Sequence, residues 1–423
     1  MKNTFLTILL LISITTYAQT GASDLILNKF EDFYQKNQPD SIYSLLSKEM
    51  KGAVKMEGTS KLITQLKSQV GNITNGSYFD TTSDQAFEYR LSFQRPLIYI
   101  HLLIKDNQII GIKQVAVELD KNDPVKLASP DNISIESSEG KIYGTLTLPK
   151  KEATKIPVVL FISGSGPTDR NMNQGKVLQT NSFLMLANDL AASGIASVRY
   201  DKRGVGASSS AVSASGIKID DFIEDAAKFI ALLKSDPRFS KVIVLGHSEG
   251  AQVGLMASLK VTPNAYMSVV GPASNIGIIL SKQLKGVLTK EDYSIAEQTL
   301  NSLSRGVIFE KQMPSSLVAI FNSSTQAYIM SSMKYTSSKE IGKLRTPILV
   351  IGGSTDMQVS VDDAQKLSRA NSKAKLVVIS GMNHILKSAS ENRELNLKTY
   401  SDPKLELHKQ LVPTIKEFIE GVN

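Results

Sequence analysis

Six short apolar runs, at residues 157–162, 195–200, 241–245, 265–270, 347–351 and 375–379, are separated by stretches of a different rhythm. Residues 181–193 and 220–234 carry apolar side chains at helical spacing; in the second these are Phe222, Ile223, Ala226, Phe229, Ile230 and Leu233. The runs are apolar at neighbouring positions rather than at every second one, the mark of strands covered on both faces. Strands that alternate with helices predict an α/β fold, a doubly wound and mostly parallel sheet with helices on both sides. Two further runs, 132–137 and 141–148, meet at Glu139-Gly140 and predict an antiparallel hairpin ahead of it.

One interval breaks this alternation. About seventy-five residues with a mostly helical pattern separate the runs at 265–270 and 347–351, more than a connection requires. Residues 273–343 are therefore expected to form a helical cap. Its apolar members include Phe309, Met313, Phe321, Tyr328, Met330, Met333 and Tyr335. They suit either an adaptable wall over a site or the cap's own small core.

The first 130 residues follow other rules. Lys2, the apolar run 5–14 and the sequence Thr16-Tyr17-Ala18 compose an export signal, expected to span residues 1–18. The run is too short to cross a bilayer, so no transmembrane anchor is expected and the protein is expected in the periplasm or secreted. Residues 22–120 read as helices (around 25–34, 42–46 and 60–70) followed by three strands (86–93, 97–104 and 108–117), with Asp106-Asn107 as a hairpin turn. That order predicts a small α+β domain. Residues 121–130, with two prolines and little periodicity, read as a linker to the second domain at 131–423.

Composition removes several functions. The chain has no cysteine, which excludes disulfides, thiolate metal sites and a cysteine nucleophile. With four histidines and no His-Glu-x-x-His, a metal centre would need carboxylate ligands, and neither metal nor cofactor is expected. The net charge of +8 comes from dispersed lysines with no basic run interleaved with aromatics, so nucleic acid is not expected as a partner. The sequence assigns no oligomeric state.

The chemistry concentrates after strands. Gly246-His247-Ser248-Glu249-Gly250 follows the run at 241–245 and precedes a small, apolar helical segment at 251–259. A serine on such a strand-to-helix turn has a strained backbone, and its glycine neighbours avoid collision with adjoining elements. A hydroxyl needs a base, and the base needs a group that fixes its tautomer. His101 lies in the first domain within an apolar run, where a structural role is expected. His247 adjoins the serine but points away from it, and His408 falls on a C-terminal helical pattern. The base is then His384, just past the run at 375–379. The acid is Asp356, just past 347–351, while Asp362 and Asp363 stand where a helix begins and suit capping. The order Ser248, Asp356, His384, with each member beyond a strand end, is that of an α/β-hydrolase.

Residues 130–423 thus resemble the α/β-hydrolase superfamily. The loop Ile162-Ser-Gly-Ser-Gly-Pro-Thr-Asp-Arg170 is similar to that of a subgroup of bacterial serine esterases, and Tyr200-Asp-Lys-Arg-Gly-Val-Gly-Ala-Ser208 to another superfamily signature. Residues 22–120 resemble a small domain with a cystatin-like cone that precedes hydrolase domains in some bacterial proteins. The resemblance implies an oxyanion hole at the 163–166 loop, assigned to the backbone N–H groups of Ser165 and Glu249. It implies structural roles for Asp201 and Arg203. Arg170 could hold Asp169 or Glu249, or meet an acidic substrate, and the pair with Asp169 is the expected one. The expected function is a serine hydrolase cleaving carboxylic esters, its partner a small-molecule ester or acyl compound. Peptidase, amidase or acyltransferase chemistry on the same triad stays open, as does a non-catalytic binding role.

Overall fold

A computed structural model of the chain describes residues 23, 25–82, 86–93, 98–116, 132–150, 155–174, 178–209, 211, 216–311, 313–318 and 320–422. The expected export signal at 1–18 and linker at 121–130 lie outside these residues. The chain forms two compact units, one from its described residues up to 116 and the other from those beyond 131.

In the first unit, helix α1 (25–35) precedes α2 (Pro39–Ser44), α3 (Lys48–Ala53) and α4 (Met56–Val70). Four antiparallel strands follow in the order β1-β2-β3-β4: β1 (Ile73–Thr81), β2 (Phe87–Phe93), β3 (Ile98–Lys105) and β4 (Gln108–Ala116). The sequence pattern shows three of these and misses β1. Its sequence, Ile-Thr-Asn-Gly-Ser-Tyr-Phe-Asp-Thr, lacks apolar alternation, and its pairing to β2 is interrupted by register shifts. Asp106 and Asn107 both take positive φ, 50° and 60°, as a two-residue hairpin needs. Tyr89, Leu91, Leu102, Ile104 and Ile109 pack with Phe30, Tyr34, Ile42 and Leu46 of the helical segment in one core. His101 is the buried histidine of this unit; its Nδ1 lies 2.6 Å from Glu88 Oε1.

The second unit is built on an eight-stranded sheet in the order β12-β11-β10-β9-β7-β8-β6-β5. Its strands are β5 (Asn132–Ser137), β6 (Gly140–Thr147), β7 (Ile156–Ile162), β8 (Ala196–Tyr200), β9 (Phe239–His247), β10 (Ala265–Val269), β11 (Ile348–Gly353) and β12 (Ala374–Ile379). The hairpin β5–β6 joins β8 antiparallel, and every other pairing is parallel. Helices α5 (Ser182–Ala192), α6 (Ile219–Ser235) and α7 (Glu249–Lys260) alternate with the central strands.

Alternation along each strand divides the interior in two. Val158, Leu160 and Ile162 of β7 pack with Val242, Val244, Phe222 and Ile223 on one face. Val159 and Phe161 pack with Ile243, Leu245, Phe183 and Leu186 on the other. A face for each parity is why these runs are apolar throughout.

The long insertion carries α8 (Ile276–Lys285), α9 (Lys290–Ser304), α10 (Ser315–Val318), α11 (Ser323–Ser332) and α12 (Ser337–Glu340). Leu280, Leu284, Ala296, Leu300, Leu303, Phe321 and Ile329 form a core of their own, with Met313, Met330 and Met333 packed against it. The methionines belong to this core, while Tyr328 and Tyr335 pack against the sheet's interior. Helices α13 (Val361–Arg369), α14 (Arg393–Lys398) and α15 (Leu411–Glu420) complete the unit. No helix among the described residues is long and apolar enough to cross a membrane.

Candidate active site

Ser248 stands between β9 and α7 with φ 54° and ψ −126°, a conformation that non-glycine residues rarely hold and that packing must impose. The two glycines around it are required by contact. A Cβ on Gly246 would lie 2.3 Å from the Gly250 carbonyl oxygen, and one on Gly250 would lie 2.2 Å from that of Ile162. The Ser248 N–H is held by the Val269 carbonyl at 3.1 Å. The hydroxyl therefore sits at the N-terminus of α7, where unpaired N–H groups and the helix dipole favour negative charge.

His384 follows β12 and Asp356 follows β11, and the two loops are fastened together. Gly353 passes Met382 so closely that a Cβ would lie 2.3 Å from its carbonyl oxygen. Thr355 donates its N–H to Met382 O at 3.2 Å, and Gly381 donates to Ser354 Oγ at 2.8 Å. The buried Asn383 carboxamide accepts from Lys387 N–H and donates to Asn396 Oδ1 and Thr399 Oγ1.

These constraints bring three side chains from distant parts of the chain into line. His384 Nε2 is 3.0 Å from Ser248 Oγ, and His384 Nδ1 is 2.8 Å from Asp356 Oδ2. The Asp356 side chain is fully buried, and its Oδ1 accepts the N–H groups of Gln358 at 2.7 Å and Val359 at 3.0 Å. With Oδ1 so occupied, Oδ2 is the oxygen presented to the imidazole. A carboxylate accepts, so Nδ1 carries the proton and Nε2 is free to accept from the serine hydroxyl. That is the arrangement in which a histidine can take a proton from serine.

The loop after β7 lies against the turn that carries Ser248. A Cβ on Gly164 would come within 3.0 Å of Ser248 Cβ. Ser165, Ser248 and Glu249 line one open cleft of about 650 Å³, part of it bulk solvent, with Ile276 and Ile279 of α8 as an apolar wall. The N–H groups of Ser165 and Glu249 meet no acceptor among the described residues.

His247 points away from Ser248 and has a partner there. Its Nε2 donates to the main-chain carbonyl of His384 at 2.7 Å. Its ring lies edge-on to Phe183, and burial, with the neighbouring His384, pushes its pKa down to about 3. No sequence signal identifies that acceptor, which is 137 residues away.

The expected pairing of Arg170 with Asp169 does not occur. Arg170 Nη2 meets Asp201 Oδ2 at 2.6 Å and Nη1 meets Thr145 Oγ1 at 2.8 Å, while Asp169 accepts the N–H groups of Asn171 and Asn173. A carboxylate next in sequence turns into its own loop, and a strand-end neighbour takes the guanidinium. Burial pushes the Asp169 pKa up to about 6. Arg203 pairs with buried Asp225 through two bonds of 2.6 and 2.8 Å. Asp363 closes a capping box with Ser360 and Asp362 pairs with Lys366, so both serve the start of α13. His408 lies just ahead of α15 and accepts the Gln410 N–H.

The model of the serine aminopeptidase S33 family matches residues 173–391. The chain is 24% identical to esterase EstD of Thermotoga maritima over 382 residues, covering 86% of this chain and 88% of that protein. It is also 24% identical to a monoglyceride lipase homolog of monkeypox virus over 237 residues, 53% of this chain and 76% of the viral protein. Among solved structures it is similar to Est1E from Butyrivibrio proteoclasticus with ferulic acid bound, at TM-score 0.48 and 17% identity, over 69% of this chain and 98% of that one.

Proposed function

The chain belongs to the serine aminopeptidase S33 family of α/β hydrolases, and from that premise we propose that it cleaves carboxylic esters through an acyl-enzyme on Ser248. The observation that carries this reading is the unbroken line Ser248 Oγ–His384–Asp356, with its buried carboxylate tied down by two amides. In the proposed reaction Ser248 Oγ attacks the ester carbonyl carbon while its proton passes to His384 Nε2. Asp356 stabilises the imidazolium without taking the proton. The oxyanion accepts hydrogen bonds from the N–H groups of Ser165 and Glu249. Each such donor contributes on the order of 3 kcal/mol in transition states of this kind. Collapse breaks the C–O bond, and the alcohol leaves with the proton from Nε2. A water molecule then attacks the acyl carbon, gives its proton to His384, and releases the acid as Ser248 regains its hydrogen.

The ester reading is supported by the Thermotoga esterase, to which most of this chain is similar. The aminopeptidase in the family's description supports a second reading, cleavage of amides by the same groups. Turnover of p-nitrophenyl acetate and butyrate beside aminoacyl-naphthylamides separates the two. Equal ester turnover by the wild type and Ser248→Ala overturns the mechanism. The leader-like sequence at 1–18 supports export, which N-terminal sequencing of the mature protein tests.

A further inference from the structure

Lys202 lies in the loop after β8 with 4% of its surface exposed, and among the described residues no carboxylate forms an ion pair with it. Its ammonium donates to the Gly164 carbonyl at 2.8 Å and sits 4.6 Å above the Phe222 ring. Structural ion pairs in the same loop are already closed: Asp201 with Arg170, and Arg203 with Asp225 on α6. A buried lysine spent on one carbonyl is an expensive way to fasten a loop, since desolvation opposes its charge.

The bonded carbonyl explains the placement. Gly164 C=O and Ser165 N–H belong to one planar peptide unit and point in opposite directions. We infer that Lys202 is a positioning residue for the oxyanion hole: by holding the Gly164 carbonyl on the side away from the cleft, its ammonium aims the Ser165 N–H at the reacting carbonyl oxygen and polarises it as a donor. This inference rests on the triad and the oxyanion loop proposed above.

Two further features fit. Burial brings the lysine's pKa down to about 8, which leaves it mostly cationic at neutral pH, and the Glu249 carboxylate opposes that fall. Glu249 follows the nucleophile and lines the cleft, where its negative charge would oppose the developing oxyanion. A cation on the far side of the loop offsets it.

The test starts from full-length wild-type enzyme whose p-nitrophenyl butyrate hydrolysis is abolished by Ser248→Ala; without that result the triad reading fails before Lys202 is examined. Lys202→Met and Lys202→Gln are then compared, with rates normalised to the sites that react with a fluorophosphonate. Each is expected to lower kcat by about 10²-fold, the size of one lost oxyanion donor, with KM within about twofold. The inhibition constant of butylboronic acid, which forms a tetrahedral adduct on serine, should rise in the same proportion. In a Glu249→Gln background, which keeps the backbone N–H, the cost of Lys202→Met should shrink severalfold. If one variant does not fold, the other decides. A folded variant with wild-type kcat, with unchanged boronate affinity, or with KM rising as steeply as kcat falls overturns the inference.

Discussion

His247 holds the backbone of His384: its Nε2–H reaches the His384 carbonyl at 2.7 Å, so the residue before Ser248 fixes the main chain of the residue facing that serine. Burial depresses the His247 pKa to about 3, below its unfolded value near 6.5. The stabilisation is fully present above about 6.5 and is lost as pH falls toward 3, because the unfolded state takes up the proton first. His247→Gln keeps an N–H for the carbonyl and removes the titration. Between pH 7 and pH 4 it should lose less unfolding free energy than wild type, by roughly 3 kcal/mol. Guanidinium melts at the two pH values measure this, and parallel losses count against it.

The two oxygens of Asp356 do different work, which makes Asp356→Asn informative. Its carbonyl oxygen would stay on the Gln358 and Val359 amides, leaving the NH₂ to face His384 Nδ1. The imidazole proton would move to Nε2, and the base could no longer accept from Ser248. A fall in kcat of about 10⁴ is expected, with the fold intact by circular dichroism. The acylation burst with p-nitrophenyl butyrate reads it.

Gly250→Ala places a Cβ against backbone rather than a movable side chain, 2.2 Å from Ile162 O and 2.5 Å from Ser163 O. A stability loss of about 1–3 kcal/mol is expected, with lower kcat because the displaced strand end leads into the 163–166 loop. Gly286→Ala is the control: nothing lies within 4 Å of its Cβ, and its φ of −88° suits alanine. Thermal denaturation of the two variants should differ clearly.

Arg203 and Asp225 are both buried, at 3% and 1% side-chain exposure. Arg203→Met leaves a buried carboxylate without its partner and should cost about 3–5 kcal/mol. Changing both, as Arg203→Met with Asp225→Leu, should restore most of it. Chemical denaturation of the single and double variants checks the coupling, and additive losses would contradict it.

The sequence revealed the parallel sheet because both faces of its strands are covered, which shows as unbroken apolar runs. It revealed Ser248, Asp356 and His384 as candidates because each follows such a run and only four histidines compete. It did not reveal partners chosen through space. Arg170 passes over the neighbouring Asp169 for Asp201, 31 residues on, and His247 finds its acceptor in another loop. The first unit's β1 carries no such signal because Asn75 and Gly76 break the period of two. The methionines of the long insertion gave no hint of which way they face, since a wall and a core need the same apolar residues.

That separate interior beneath α8–α11 has an evolutionary consequence. Two hydrophobic interiors with separate members let selection reshape one while the other stands. Substitutions among Leu280, Leu300 and Phe321 would alter how Ile276 and Ile279 are carried over the cleft without disturbing the sheet that aligns Ser248 with His384. Changes confined to α8–α11 can therefore reshape the apolar wall of the cleft alone, and a chimaera carrying a relative's insertion on this scaffold is the natural experiment.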